Sequence, residues 1–513
     1  MLEAIKKLNR KETWIIVGIT LLGLILRLWG TKHSFPFIFH PDEPALVRSA
    51  TGLRFEANPN HFDWPHLHFY LNYIVYFLFI KFRGLLQALR LQGFLSAKFP
   101  LVWRDPLVFY FISRVFDAVI GAATAIPVFL TGKRLVNKKV GYLAALAITL
   151  MPLHVHVSHY ALIDVPTAFW AAWAMYFSAK LFKGASLKDY ILAGLFVGFS
   201  ASTKYNGGLV AITVAAAHFL RVLKNKEKLL SLDNIKKPML AGLLAALGFF
   251  IGTPYAALDY DTFSRDDSPV GAMWQFKNVG SVDPITHLKQ FGGVLTTTLA
   301  DDFGFVFTGL FLIFGIYTLI KRKDYTGWFI LIPILFLFYY TSGFVKLRSH
   351  YFLTVYPFMA VASGYILYLI LQKISFSWLR YPLLILIFAV PFFLSYQRSY
   401  TLSQKDTRIL LYEWVNERMT ILDHFVYNSS SLGPVAEKLS KDRSDKDVIK
   451  ANLTGKKGYI AIYIEEEELE SFYLGNNKES FVVEKYEKVH EIDATGRRGN
   501  HILIYRFDEI KTD

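Results

Sequence analysis

The sequence has no cysteine. Disulfides, thiolate catalysis and Cys-zinc sites are therefore excluded. The absence leaves the compartment open, because a protein outside the cytoplasm can do without disulfides. The sequence also lacks an HExxH pair or comparable metal-ligand spacing, and no internal repeat is evident. After its first apolar run there is no small-residue site of the kind at which a signal peptide is cut. Acids are the minority charge: 41 Asp and Glu stand against 56 Lys and Arg, a net +15. In a soluble protein that excess would point to nucleic acid. Here the Lys and Arg fall in short loops between apolar runs, where they act as topology signals and contacts to anionic head groups. No nucleic-acid partner is expected.

What is abundant is apolar surface. Of 513 residues, 53% are hydrophobic and 16% aromatic, and the mean hydropathy is +0.32. That composition fits an α-helical polytopic membrane protein, not a soluble domain. Residues 13–30 form a first apolar run, preceded by Lys6, Lys7, Arg10 and Lys11. It reads as a retained first helix with a cytoplasmic N-terminus. The run 109–130 ends on Lys133, Arg134, Lys138 and Lys139. Those cations stay cytoplasmic only if 31–106 begins and ends outside. The stretch 66–95, broken by Lys81, Arg83 and Arg90, is then an interfacial helix within one large external loop. A re-entrant hairpin is the other possibility.

Beyond it the apolar runs alternate: 140–158, 165–181, 190–203, 207–222, 238–256, then a second external loop at 257–302, then 303–320, 327–341, 351–371 and 381–396. The total is about eleven spans of bilayer length. The expected product is a multi-pass protein of the cell membrane. Around Ser399 the chain turns polar, and two domains are expected, 1–398 in the membrane and 399–513 as a small extracytoplasmic α/β domain. In the second, 406–418 has helical periodicity, and 423–427, 458–464, 481–489 and 501–507 read as strands.

Several polar residues stand at the expected outer surface. Asp42 and Glu43 lie between Pro41 and Pro44, in a rigid turn. Adjacent acids in such a turn point in different directions, so one can take a proton while the other positions the loop or a metal. A solvated loop is the plain alternative. Asp164 precedes Val165-Pro166, where it can cap the next helix as well as do chemistry. Lys204, in Ser202-Thr203-Lys204-Tyr205-Asn206, runs against the positive-inside trend, and Lys346, Arg348 and His350 form a second outer basic group. Cations there suit a membrane-anchored phosphate, with Arg able to bind it bidentately. Their alternative role is snorkelling to head groups. His33, His40, His61, His66, His68, His154, His156 and His159 also lie on this side. A divalent metal is conceivable there, although His154 and His156, two apart, face different ways on a helix.

In order along residues 13–397, these features resemble the GT-C glycosyltransferases of the protein O-mannosyltransferase and aminoarabinose (lipid A) transferase type, that is, glycosyltransferase family 39. The resemblance is carried by Asp42-Glu43, Pro65-His66-Leu67, Arg114 opening the second span, Ser158 to Asp164-Val165-Pro166, Gly198 to Gly207 with Lys204-Tyr205, and Arg348-x-x-Tyr351 running into Tyr356-Pro357. Relatives often have Pro-Pro-Leu where this chain has Pro65-His66-Leu67. The resemblance implies a GT-C fold and a donor sugar on a polyprenyl phosphate, dolichyl or undecaprenyl. It implies an acceptor hydroxyl on a protein, lipid or glycan, and inversion at the anomeric carbon. On this reading Asp42 is the general base, assisted by Glu43 and Asp164. Lys204, Tyr205, Arg348, Lys346, His350, Arg114 and His66 contact the lipid phosphate or donor.

Two rival classes have sequence tests. A transporter or flippase should carry charges or broken helices at mid-membrane, and often a repeat. A non-catalytic scaffold would use the C-terminal domain to bind cell-wall polymers. The concentration of acids and bases at one surface favours the enzyme.

Overall fold

The computed structural model describes residues 8–89, 106–298, 304–440 and 444–508. Arg90 and the rest of 90–105, together with 299–303, lie outside the described residues, so neither long loop is covered completely. The chain divides into two compact units, one of 1–28 with 42–399 and one of 29–41 with 400–513.

The first unit is a helical membrane bundle. Its helices at Arg10–Leu28, Leu107–Ala123 continued by Ala125–Leu135, Asp164–Gly184, Leu187–Thr203, Ala211–Asn225, Leu232–Gly252, Phe305–Ile320, Tyr325–Ser342, Tyr356–Lys373 and Ser377–Ser403 follow the expected runs. Six runs among the described residues are both long and apolar enough to cross a bilayer: Leu107–Leu135, Tyr205–Asn225, Leu232–Gly252, Tyr325–Ser342, Ser349–Lys373 and Ser377–Arg418. The run 140–158 departs from a single rod. Its helix Lys138–Thr149 stops, and a short helix, Pro152–Val157, begins on Pro152, which has no N–H to continue the ladder.

Contacts within the bundle sort the helix ends into two groups. Lys133 Nζ donates to Glu12 Oε2 at 2.7 Å, which joins the start of the first helix to the end of the second. At the opposite end, Arg27 reaches Ser158, Thr149 and His154, and Ser399 Oγ donates to the Leu26 carbonyl at 2.8 Å. Helix packing relies on small residues: a Cβ on Gly194 or Gly198 would collide with the carbonyls of Ala241 and Ala245 on the facing helix.

The 22-residue helix Leu67–Ala88 is long enough to span, yet it does not run down the bundle. It lies antiparallel to the start of the Leu107–Ala123 helix, with His68 at Asp117, Tyr76 at Ser113 and Phe109. Its later residues therefore lead past Leu107, away from the Glu12–Lys133 end. Ile74, Phe77, Leu78, Phe82, Leu85 and Leu89 on it are exposed, an apolar face suited to an interfacial helix.

The second unit is a five-stranded sheet in the order β2-β1-β3-β5-β4, with β1 at His424–Tyr427, β2 at Ser444–Asp445, β3 at Gly458–Ile464, β4 at Glu487–Ile492 and β5 at His501–Phe507. β1 pairs in parallel with β2 and β3, and β5 is antiparallel to β3 and β4. Both faces are covered. Phe425, Tyr459, Ala461, Ile502 and Ile504 pack with Ile409, Leu411 and Val415 of the Thr407–Arg418 helix on one side. Val426, Ile460, Ile462, Leu503 and Tyr505 pack with Phe472 and Val483 on the other. Burial on both faces explains why β3 and β5 read as nearly continuous apolar runs. The expected strand at 481–489 is corrected: Lys478–Val483 is helical, started by an Asn477 cap, and the strand begins at Glu487. Val483 is buried in the core from a helix, and a short apolar run does not by itself distinguish the two states.

Candidate active site

Two buried acids organise the Arg27 end of the bundle. Glu43 opens the Glu43–Gly52 helix and is fully buried. Arg114 grips it with two hydrogen bonds, Nε to Oε1 and Nη2 to Oε2, each 2.7 Å. The Ala161 N–H donates to the same Oε1 at 3.0 Å. Asp117, one turn along from Arg114, accepts from the Leu162 N–H at 2.9 Å. His68 Nε2 stands 2.8 Å from Asp117 Oδ1, though off the line of a hydrogen bond. The Ser158–Ile163 loop is thus pinned at two successive N–H groups by carboxylates from two other elements. That loop delivers Asp164 to the first turn of the Asp164–Gly184 helix.

At Asp164 further charged groups gather. Lys204 Nζ donates to Asp164 Oδ1 at 2.6 Å and lies 4.4 Å from the centre of the Tyr351 ring. Lys204 holds this position because the Leu187–Thr203 helix ends there with an extended backbone, φ −151° and ψ 132°. Gly207 makes the following turn possible, since a Cβ on it would run into the Ser200 carbonyl. Four charges act on the His350 imidazole: Asp164, Lys204, Asp42 and Arg348. These residues come from four separate stretches of sequence. Asp42 is half-exposed at the start of the Glu43–Gly52 helix, and its side chain does not cap that helix. Arg348 and Lys346 are exposed.

The residues of the 61–66 turn frame the site. His66 is fully buried, stacked on Phe62 at 4.6 Å, and its Nε2 lies 2.8 Å from the His61 carbonyl. Its backbone N–H donates to Thr253 Oγ1 at 3.1 Å. Burial pushes its pKa down to about 4, so the ring is neutral at neutral pH. Tyr205 donates its hydroxyl to the Phe62 carbonyl at 2.7 Å. His61 is held between Asp63 and Ser49. Among the described residues no group of three or more His, Asp or Glu is placed to hold a metal ion.

The structure therefore brings Asp42, Asp164, Lys204, Arg348 and His350 together, with Tyr351 beneath Lys204. Arg114, expected at the lipid phosphate, is instead buried in its ion pair with Glu43. Glu43 has its oxygens committed to Arg114 and Ala161. Sequence reasoning missed Asp117 and Arg27. Both carried a legible signal, an ionisable residue inside an apolar run. Arg27 is fully buried and donates to Ser158 Oγ at 3.2 Å and to the Thr149 carbonyl at 3.1 Å.

Residues 110–253, which hold Arg114, Asp117, Asp164 and Lys204, match the family described as dolichyl-phosphate-mannose-protein mannosyltransferase. The chain is 28% identical over 216 residues to dolichyl-phosphate-mannose--protein mannosyltransferase 1 of Saccharomyces cerevisiae, covering 36% of this chain and 26% of the yeast protein. The match thus spans about a quarter of that relative. The oligosaccharyltransferase of Archaeoglobus fulgidus, solved with a tethered acceptor peptide containing the NVT sequon, superposes over 96% of this chain and 74% of its own, with TM-score 0.53 and 15% identity. ArnT of Cupriavidus metallidurans in the apo state superposes over 97% of this chain and 98% of its own, with TM-score 0.53 and 11% identity. This chain has the GT-C fold. The GT-C fold extends through both units, and with it the chain is a polytopic membrane protein carrying a small C-terminal α/β domain.

Proposed function

We propose that this GT-C protein is a glycosyltransferase that moves a sugar from a polyprenyl-phosphate carrier to an acceptor hydroxyl on the extracytoplasmic face, with inversion. The observation that carries the reading is the 2.6 Å pairing of Lys204 with Asp164, with Lys204 over the ring of Tyr351, three residues after Arg348. The donor class is supported by the dolichyl-phosphate-mannose in the description of the matched family. Asp42 takes the proton of the acceptor hydroxyl as that oxygen attacks the anomeric carbon from the face opposite the phosphate. Orientation and base assistance supply the rate. Asp164 orients Lys204. Arg348, with Lys346 beside it, meets the leaving phosphate and stabilises the charge that develops there. His66 and Tyr205 hold the walls, and His350 lies between the acids and the cations. The carrier is dolichyl or undecaprenyl phosphate, and the acceptor is a protein, lipid or glycan hydroxyl.

A lost charge-assisted contact costs about 1.5–3 kcal/mol, so Arg348→Ala should lower kcat/KM for the lipid-linked donor about 10- to 100-fold. Arg348→Lys should recover only part, because a point charge replaces a bidentate fork. Initial rates in detergent at saturating acceptor check this, and a wild-type kcat/KM for the alanine variant would remove Arg348 from the donor site.

The sidedness follows the Lys and Arg clusters. The end that carries the Glu12–Lys133 contact is cytoplasmic, and the end that carries Asp42 is outside. A cysteine placed at Lys138 should resist membrane-impermeant thiol reagents in intact cells, and one at Gly433 should react. Labelling at 138 alone would reverse the orientation. The assay is clean because the chain has no cysteine of its own.

A further inference from the structure

In the second unit the sheet opens a crevice that the transferase reading does not use. β1 lies between β2 and β3, and all three run parallel. The chain leaves β1 for β2 on one side and then returns to β3 on the other. The connections therefore diverge above the carboxyl ends of β1 and β3, the position where parallel sheets hold ligands. Asn428, the residue after β1, acts as a substitute strand partner there. Its Nδ2 donates to the Tyr463 carbonyl at 3.1 Å, and its Oδ1 accepts from the Tyr463 N–H at 2.8 Å. This double bond to β3 fixes the floor of an open cavity of about 700 Å³, within the range of roughly 300–1,000 Å³ that small-molecule sites occupy.

The lining selects a chemical class. The lining holds Glu465, Glu468 and Glu479 together with Lys446 and Lys478, and Asn428, Asn477, Ser429 and Ser430 add neutral polar groups. Three carboxylates against two ammonium groups disfavour a phosphate or other anion. Ile449 and Tyr463 are the apolar contribution, too little for a lipid chain. A lining that mixes acceptors with donors matches hydroxyl groups, each of which both donates and accepts. We propose that this crevice binds a neutral saccharide of mono- or disaccharide size. Burial raises the Glu479 carboxyl above the usual carboxylate range, as expected for a group partly withdrawn from water in such a site. The proposal stands whether or not the membrane unit transfers sugar, since it concerns binding by the second unit's own residues.

The test is saturation-transfer NMR on the full chain in detergent, with methyl α-mannoside, methyl α-glucoside, methyl β-galactoside, N-acetylglucosamine and maltose as probes and inorganic phosphate as competitor. At least one neutral sugar should receive saturation. Its affinity should fall about tenfold or more in Glu479→Gln, which keeps the side-chain shape, and in Lys478→Ala, which removes an exposed ammonium. Asp42→Asn should leave it unchanged, so failure here is separable from failure of the transferase reading. Absence of transfer to every sugar would overturn the proposal. So would equal binding by wild type and both crevice variants, which would move the sugar to the membrane unit. Displacement of the sugar by phosphate would also overturn it, because it would identify an anion site.

Discussion

Asp42→Asn should lower kcat for sugar transfer by about 10²–10⁴-fold, the range that a positioned general base contributes. The substitution keeps the size of the side chain and removes its ability to take a proton. Donor affinity should change little, because the proposed phosphate contacts are Arg348 and Lys346. Asp42 is half-exposed, and thermal unfolding of the variant in detergent separates lost chemistry from lost stability. Asp164→Asn is the informative partner. Its carboxylate is paired with Lys204, so the variant should disturb both kcat and donor KM by freeing that cation. A wild-type kcat in Asp42→Asn would assign the base elsewhere.

Arg114→Leu should be the most destabilising single change at this end of the bundle. It leaves the Glu43 carboxylate buried without its partner, and breaking one side of a buried pair costs roughly 3–5 kcal/mol. Both side chains are 0% exposed, so water cannot replace the lost bonds without opening the packing. Activity should fall as well, although neither residue touches substrate, because Glu43 also holds the Ala161 N–H and hence the loop that presents Asp164. The double variant Glu43→Leu/Arg114→Leu should recover part of the stability, since paired removal avoids an isolated charge. It should not recover activity, because the Ala161 N–H would stay unanchored. Thermal unfolding in detergent, read beside initial rates, separates the two effects. Wild-type melting by Arg114→Leu would refute the anchoring role.

The membrane bundle was legible because bilayer length and loop cations leave few arrangements of the apolar runs. The helix Leu67–Ala88 lies antiparallel on the start of the second helix, a pairing that the apolar pattern alone did not give. The strands at 458–464 and 501–507 were legible because burial on both faces leaves runs of β-branched and aromatic residues. The 481–489 segment was not, since its short apolar run, 481–483, fits the end of a helix equally well. In the site, residue type located the acids and cations but not their pairing. Adjacent Asp42 and Glu43 diverge, one half-exposed and one sealed against Arg114, and no local pattern distinguishes them. Asp117 was visible as a charge inside an apolar run, but its partner was not, because Leu162 lies 45 residues away.

The central claim is tested most directly by incubating the purified chain in detergent with a radiolabelled polyprenyl-phosphate sugar and a hydroxyl acceptor. The labelled sugar and the free lipid phosphate are then measured together. The account predicts that the wild type releases lipid phosphate in step with label appearing on the acceptor at inverted configuration, and that Asp42→Asn does neither at a comparable rate. A donor left intact by the wild type, or turned over equally by Asp42→Asn, would contradict it.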